Sequence, residues 1–162
     1  MELQRVWAPI VGTFILEFGH LESAITEVIR LSFLPTQLKT LNSLPLGKKS
    51  ELVKALLADW NASETEIVSS TFRELSDITQ RRNIVAHNGF SMAIYESPDD
   101  DGYHYEFGMT SSHKATEVWL QKEDLERDTI AIKVITEKII NWIQRDKIRN
   151  ITLSESCSLT KQ

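Results

Sequence analysis

Large apolar residues recur every three or four positions through the first part of the chain, Leu3–Leu34. The steps between them are 3, 4, 4, 3, 4 and 3 for Trp7, Ile10, Phe14, Phe18, Leu21, Ile25 and Val28. Side chains with this spacing fall on one face of an α-helix, so the segment predicts a long amphipathic helix with a buried face. Pro9 is compatible with it, because the amide near the start of a helix has no partner in any case. Pro35 marks the predicted end.

Two more segments show the same helical spacing. Gly47–Trp60 carries apolar residues along one side and lysines elsewhere, which predicts a second helix. The connection before it, Thr36–Leu46, contains turn-forming residues and has room for a short turn of helix. Glu123–Arg149 spaces its large apolar residues by 3, 4 and 7, which predicts a long last helix.

A third helix is predicted between these segments by its boundary residues. Ser63 and Glu66 have the spacing of a capping box, in which each side chain accepts a backbone amide hydrogen bond at the start of the helix. The helix is expected to end near His87, because Asn88 and Gly89 readily adopt the left-handed conformation that stops a helix.

The apolar period changes to two after residue 89. Alternation with small or polar residues predicts two strands, with Phe90, Met92 and Ile94 in one and Tyr103, Tyr105, Phe107 and Met109 in the other. The turn-rich residues 97–102 join them into a β-hairpin over about residues 90–109 with an acidic tip. Thr116–Leu120 is a candidate third strand. The predicted fold is therefore mainly α, a four- to five-helix bundle with a β-hairpin inserted before the last long helix.

Length and composition favour one folded domain. The chain has 162 residues, of which 41% are hydrophobic, which is enough to bury a single core. We expect one helical domain over residues 1–150 and a flexible, polar C-terminal tail over residues 151–162. Cys157 is the only cysteine, so no intrachain disulfide can form, and the uncharged run Val6–Leu16 is too short to span a bilayer. These features predict a cytoplasmic protein with no membrane association.

The charge balance gives no sign of a strongly basic nucleic-acid-binding domain. Eighteen Lys and Arg residues against 23 Asp and Glu residues leave a net charge of −5. Two segments reverse this balance locally, since Arg30–Lys54 holds five basic residues against Glu51, and Lys133–Arg149 holds five against two acids. Each segment is either a local site of phosphate attraction or an ordinary solvated helix face.

Arg82 lies in the middle of an apolar stripe on the predicted third helix. The stripe consists of Ile67, Val68, Phe72, Leu75, Ile78, Val85 and Ala86. Arg81 falls about 100° away, towards its edge. Because an unpaired buried cation costs several kcal/mol, two interpretations stay open. Either Arg82 pairs with a core acid, for which Glu17 and Glu22 are candidates, or the stripe faces a wet subunit interface where Arg82 binds an anionic ligand.

Two polar residues follow Arg82 on the same helix. His87 lies in the last turn, where an imidazolium complements the helix dipole as a cap and where a ring titrating near neutral pH suits proton transfer. Asn83 lies one turn earlier on the same face, so its amide can orient that ring or contact a phosphate. The other histidines, His20, His104 and His113, have no metal-ligand spacing, and we expect neither a metal nor a cofactor.

The segment from Arg82 to His87 resembles the signature of the HEPN superfamily (higher eukaryotes and prokaryotes nucleotide-binding domain). That signature is an arginine, usually followed by a polar residue, and a histidine after four to six intervening positions. Arg82 fits with four and Arg81 with five, and Arg82 is preferred because Asn83 follows it directly. Residues 18–25 in a long first helix and the order of the helices are also similar to stand-alone bacterial HEPN-like proteins, over about residues 10–145.

The resemblance implies a fold that dimerises and brings two Arg/His pairs into one composite cleft. Many members are metal-independent endoribonucleases, and several act as toxins or in antiviral defence, sometimes beside a nucleotidyltransferase-type antitoxin. We therefore expect Arg82, His87 and Asn83 to be the catalytic residues of a homodimeric ribonuclease that cuts RNA by attack of the 2′-hydroxyl. The alternative is a catalytically inactive HEPN module that binds nucleotide, RNA or a protein partner, which the acidic residues 99–101 favour. A third interpretation is a purely structural helical dimer.

Overall fold

The computed structural model describes residues 2–87, 90–96, 103–110 and 119–159, and the surroundings of side chains over residues 5–87, 108–109 and 119–146. Five α-helices and three strands lie within these ranges. They are α1 (Glu2–Ser32), α2 (Pro35–Asn42), α3 (Leu46–Trp60), α4 (Thr65–His87), β1 (Phe90–Glu96), β2 (Tyr103–Thr110), β3 (Trp119–Leu120) and α5 (Lys122–Leu159). The predicted fold class, mainly α with an antiparallel hairpin before the last long helix, is confirmed.

The helices lie close to where the apolar spacing places them. The connection after α1 forms a complete short helix, α2, with Pro35 as its first residue. Pro35 therefore both ends α1 and begins α2, since its missing amide is harmless in a first turn. The Gln37 side chain accepts the backbone N–H of Leu34 at 3.0 Å and caps this start. At the other end of the chain α5 continues to Leu159, past the predicted end at Arg149, and the flexibility expected of residues 151–162 stays a prediction.

The start of α4 differs from the predicted capping box. Ser63 lies inside a short 3₁₀ turn, Ala62–Glu64, and α4 begins at Thr65. The Glu64 side chain is held by α5, because Trp142 Nε1 donates to Glu64 Oε2 at 2.8 Å and Arg145 donates to both carboxylate oxygens. These hydrogen bonds lower the pKa of Glu64 to about 2. Contacts with a distant helix therefore hold this connection in place.

The core lies where α1 packs against α5 and α3 packs against α4, with α1 also against α3. The largest fully buried side chains come from all four long helices: Phe14, Leu21, Ile25, Ile29, Leu57, Leu75, Ile78, Leu125, Ile132, Ile135, Ile139 and Trp142. Two members of the predicted α4 stripe were placed wrongly, since Ile67 is 48% exposed and Ala86 is exposed. Ile84 is buried instead. Since α4 also contacts β2, the burial of its side chains depends on the strand as well as on the neighbouring helices.

The three strands form one antiparallel sheet in the order β1-β2-β3. Phe90 pairs with Met109 and Glu96 with Tyr103, which closes the predicted hairpin, and Met109 pairs with Leu120 of β3. The candidate third strand is therefore present as Trp119–Leu120, while residues 116–118 and the acidic tip at 97–102 lie outside the described ranges. No helix in the described part of the chain is long and apolar enough to cross a membrane.

Candidate functional site

Arg81 is the arginine of α4 that pairs with a buried acid. Its Nε donates to Asp128 Oδ2 at 2.5 Å and its Nη2 to Asp128 Oδ1 at 2.8 Å, and Asp128 of α5 is only 2% exposed. This bidentate bond raises the pKa of Arg81 above its ordinary value. Because the carboxylate is buried, the guanidinium supplies the hydrogen bonds and the opposite charge that water supplies to an exposed acid. Arg81 is therefore a structural residue that ties α4 to α5.

Arg82 is half-buried, and none of the described acids pairs with it. Its Cζ lies 5.6 Å from the centre of the Phe18 ring on α1, within the range of a cation–π contact. Its Nε is buried without a hydrogen-bond acceptor, and the guanidinium makes no hydrogen bond or ion pair with any residue in the described ranges. An aromatic ring attracts the charge but does not satisfy five directional N–H groups. Within the described part of the chain, Arg82 is therefore a preorganised cation whose Nε–H has no acceptor.

The acids considered as structural partners of Arg82 are engaged or placed elsewhere. Glu17 lies 3.4 Å from Lys133 Nζ and 3.3 Å from His20 Nδ1, and these two groups lower its pKa. Glu22 lines a different groove, between α1 and the start of α3, beside Lys49. Within the described residues the core-acid interpretation therefore holds for Arg81 and Asp128, and not for Arg82.

Asn83 and His87 are both exposed and lie one turn apart on α4. Neither side chain makes a hydrogen bond with another described residue, so the expected hydrogen bond from Asn83 that would orient the imidazole is not formed in this structure. The helical rise and rotation separate Arg82 and His87 by about 7.5 Å along the axis and about 140° around it. One copy of α4 therefore directs these two groups to different sides.

A polar stripe on α4 was missed by the sequence reasoning. Arg73, Ser76, Gln80, Asn83 and His87 follow one another at steps of 3, 4, 3 and 4, and all five are exposed. The 3- and 4-residue spacing that identified the apolar face of the helix also identifies this polar face when it is applied to polar residues. We call these five residues the polar stripe. The catalytic candidates Asn83 and His87 form its C-terminal end.

A groove between α3 and α4 runs beside the N-terminal half of the polar stripe. It has a volume of about 430 Å³, and its walls include Lys54 and Glu51 of α3 and Arg73, Ser76 and Gln80 of α4. Within the described ranges no group of three or more His, Cys, Asp and Glu side chains has the geometry to hold a metal ion. His113 and the side chain of His104 lie outside those ranges.

Neither models of known protein families, nor curated proteins, nor solved structures give a match to this chain. The resemblance to the HEPN superfamily therefore rests on Arg82, Asn83 and His87, on residues 18–25 and on the order of the helices.

Proposed function

We propose that the protein is a metal-independent endoribonuclease of the HEPN type, with Arg82, His87 and Asn83 as the residues that act on RNA. The observation that carries this proposal is the half-buried guanidinium of Arg82, which has unused donors and no anionic partner in the described part of the chain. A purely structural arginine would be held as Arg81 is held by Asp128. A phosphodiester supplies the charge and the acceptors that Arg82 lacks.

The chemistry assigns one task to each residue type. Cleavage begins when a base removes the proton of the ribose 2′-hydroxyl and the 2′-oxygen attacks the adjacent phosphorus. The P–O5′ bond then breaks and an acid protonates the leaving 5′-oxygen, which yields a 2′,3′-cyclic phosphate and a 5′-hydroxyl. His87 can transfer either proton, a role that contributes about 10²–10⁴ in rate. Arg82 stabilises the charge on the phosphoryl oxygens, and Asn83 positions the phosphate or the imidazole.

The same proposal includes a homodimer. On one copy of α4 the directions of Arg82 and His87 differ by about 140°. In a symmetric dimer, Arg82 of one protomer and His87 of the other can lie in one shared cleft. The proposal also includes a cytoplasmic role as a toxin or defence protein, with a nucleotidyltransferase-type antitoxin as a possible partner in the cell. These expectations come from the family resemblance.

The test compares RNA cleavage by the full chain in EDTA with cleavage by Arg82→Ala and His87→Ala. Arg127→Ala and His20→Ala are matched controls, because each removes the same residue type from an exposed position outside the proposed site. We expect RNA to be cut only by the wild type and the controls, with 2′,3′-cyclic phosphate ends. Full activity of His87→Ala, or loss of activity in EDTA, would exclude the mechanism.

A second candidate function is a catalytically inactive module that binds RNA, nucleotide or a protein. It is favoured by the exposed imidazole of His87, which no described residue orients. Binding of RNA that depends on Arg82, without cleavage in the same assay, would favour this module over the enzyme.

A further inference from the structure

The polar stripe extends well beyond the proposed catalytic residues. Arg73 and His87 lie 14 positions apart on α4, which corresponds to a distance along the helix of about 21 Å. Arg73, Ser76 and Gln80 occupy this stretch, and all three line the groove between α3 and α4. The groove and the residues Asn83 and His87 of the proposed site therefore lie along one continuous face of α4.

The charge of this groove suits an anion. Lys54 and Arg73 make no ion pair with any residue in the described ranges, although both line the groove. The acid in the groove wall, Glu51, is paired with Lys48 at 2.9 Å. The other acids in this part of α4, Glu74 and Asp77, do not line the groove, and Asp77 acts on Arg81, whose pKa it helps to raise. Two cations are therefore left without a partner among the described residues, beside a row of neutral donors.

We propose that the groove between α3 and α4 binds the backbone of a single-stranded RNA segment that leads to the scissile phosphate at His87. Lys54 and Arg73 neutralise phosphates, and Ser76 and Gln80 donate hydrogen bonds to phosphate or sugar oxygens. Proteins that follow a single-stranded backbone do so with positively charged grooves, and Lys, Arg, Ser and Gln are all side chains that contact phosphate and sugar oxygens. A single strand is favoured over a duplex because attack by the 2′-oxygen requires a backbone that can rotate into line with the leaving oxygen. This inference rests on the proposed function.

The expected size of the effect follows from counterion release. Each phosphate contact contributes about 0.7 to the slope of log affinity against log salt for a single strand, which at about 0.15 M salt corresponds to about 4-fold in affinity. Loss of both Lys54 and Arg73 should therefore lower the slope by about 1.4 and the affinity by about 15-fold. Loss of either residue alone should give half of that change in slope.

The experiment measures binding of a labelled single-stranded RNA of about 10 nucleotides, a typical site size for a single-strand groove, across a range of salt concentrations. The full chain carries His87→Ala to prevent cleavage, alone and with Lys54→Gln, Arg73→Gln or both. Lys39→Gln on α2 and Arg127→Gln on α5 remove the same charges from exposed positions outside the groove and serve as matched controls. Circular dichroism confirms that each variant is folded.

A second measurement separates this inference from the proposed function. With His87 intact, Lys54→Gln and Arg73→Gln should lower kcat/KM for the longer oligonucleotide and leave kcat/KM for a dinucleotide unchanged, because a dinucleotide does not reach the groove. Cleavage of both substrates that is insensitive to these variants overturns the inference and keeps the ribonuclease. Groove-dependent binding without any cleavage keeps the groove as an RNA site and overturns the ribonuclease. Absence of RNA binding by the parent protein, or equal effects of the groove and control variants on affinity, overturns the inference.

Discussion

Two adjacent arginines on α4 should differ strongly in how much stability the protein loses when each is replaced by alanine. Arg81→Ala leaves the carboxylate of Asp128, which is 2% exposed, without its bidentate partner. Breaking a fully buried pair costs about 3–5 kcal/mol. Since the Arg81 side chain is 26% exposed and Arg127 Nε lies 4.0 Å from Asp128 Oδ1, we expect a smaller loss than for a fully buried pair, about 2–3 kcal/mol.

Arg82→Ala should have almost no effect on the free energy of unfolding. The substitution loses the contact with Phe18, which contributes about 0.5–1 kcal/mol at a partly exposed site. It also removes the buried Nε that has no acceptor, and a buried unsatisfied donor costs about 1–3 kcal/mol. These contributions oppose each other, and since Arg82 is only half-buried the cost of the unsatisfied donor should lie near its lower end, so the net change should be within about 1 kcal/mol. Helix propensity cancels in the comparison, because both variants replace arginine by alanine in one helix.

The assay is urea unfolding of both variants and the wild type at one protein concentration, since a dimer would make the transition concentration-dependent. The midpoint should fall for Arg81→Ala with an unchanged slope, and its Tm should fall by about 4–12 °C for a chain of this size. Adding Asp128→Asn to Arg81→Ala should restore part of the loss, because the unpaired charge disappears. Equal destabilisation by Arg81→Ala and Arg82→Ala would refute the reasoning, since it would mean that Arg82 also has a structural partner.

Three further outcomes follow from the fold. Arg145 and Trp142 lower the pKa of Glu64 from 4.5 to about 2. Its contribution to stability is therefore present above pH 4.5 and is lost as the pH falls towards 2. In urea titrations, Glu64→Gln should lose less stability than the wild type between pH 7 and pH 3. Gly108→Ala should destabilise by about 1–3 kcal/mol, because its Cβ would lie 2.6 Å from Leu120 O and from the Trp119 ring; an unchanged Tm would contradict that packing. Gly12→Ala, where an added Cβ meets nothing within 4 Å, should instead raise stability by about 0.5–1 kcal/mol and is the matched control.

Local spacing predicted most of the secondary structure because it depends on neighbours in the chain. The apolar face of α1 and that of α5 are buried as their 3- and 4-residue steps predict, and the change to period two at Phe90 marks the first strand. The errors occur where distant segments intervene. Ser63 does not cap α4 as predicted, since the turn that contains it is held through Glu64 by α5. Ala86 is exposed and Ile84 buried on a helix that also contacts β2.

In the candidate site, too, local spacing predicted some features and contacts between distant segments decided others. The sequence by itself determined that one arginine of α4 points at an apolar face and that Asn83 and His87 share another face, because a helix has a constant rotation per residue. It preferred Arg82 over Arg81 for the motif, and it considered a structural ion pair with a core acid only for Arg82. Only the tertiary structure decided between them for the ion pair, by bringing Asp128, 47 residues further along the chain, against Arg81. The partner of a buried charge depends on how helices pack, and no local pattern contains that information.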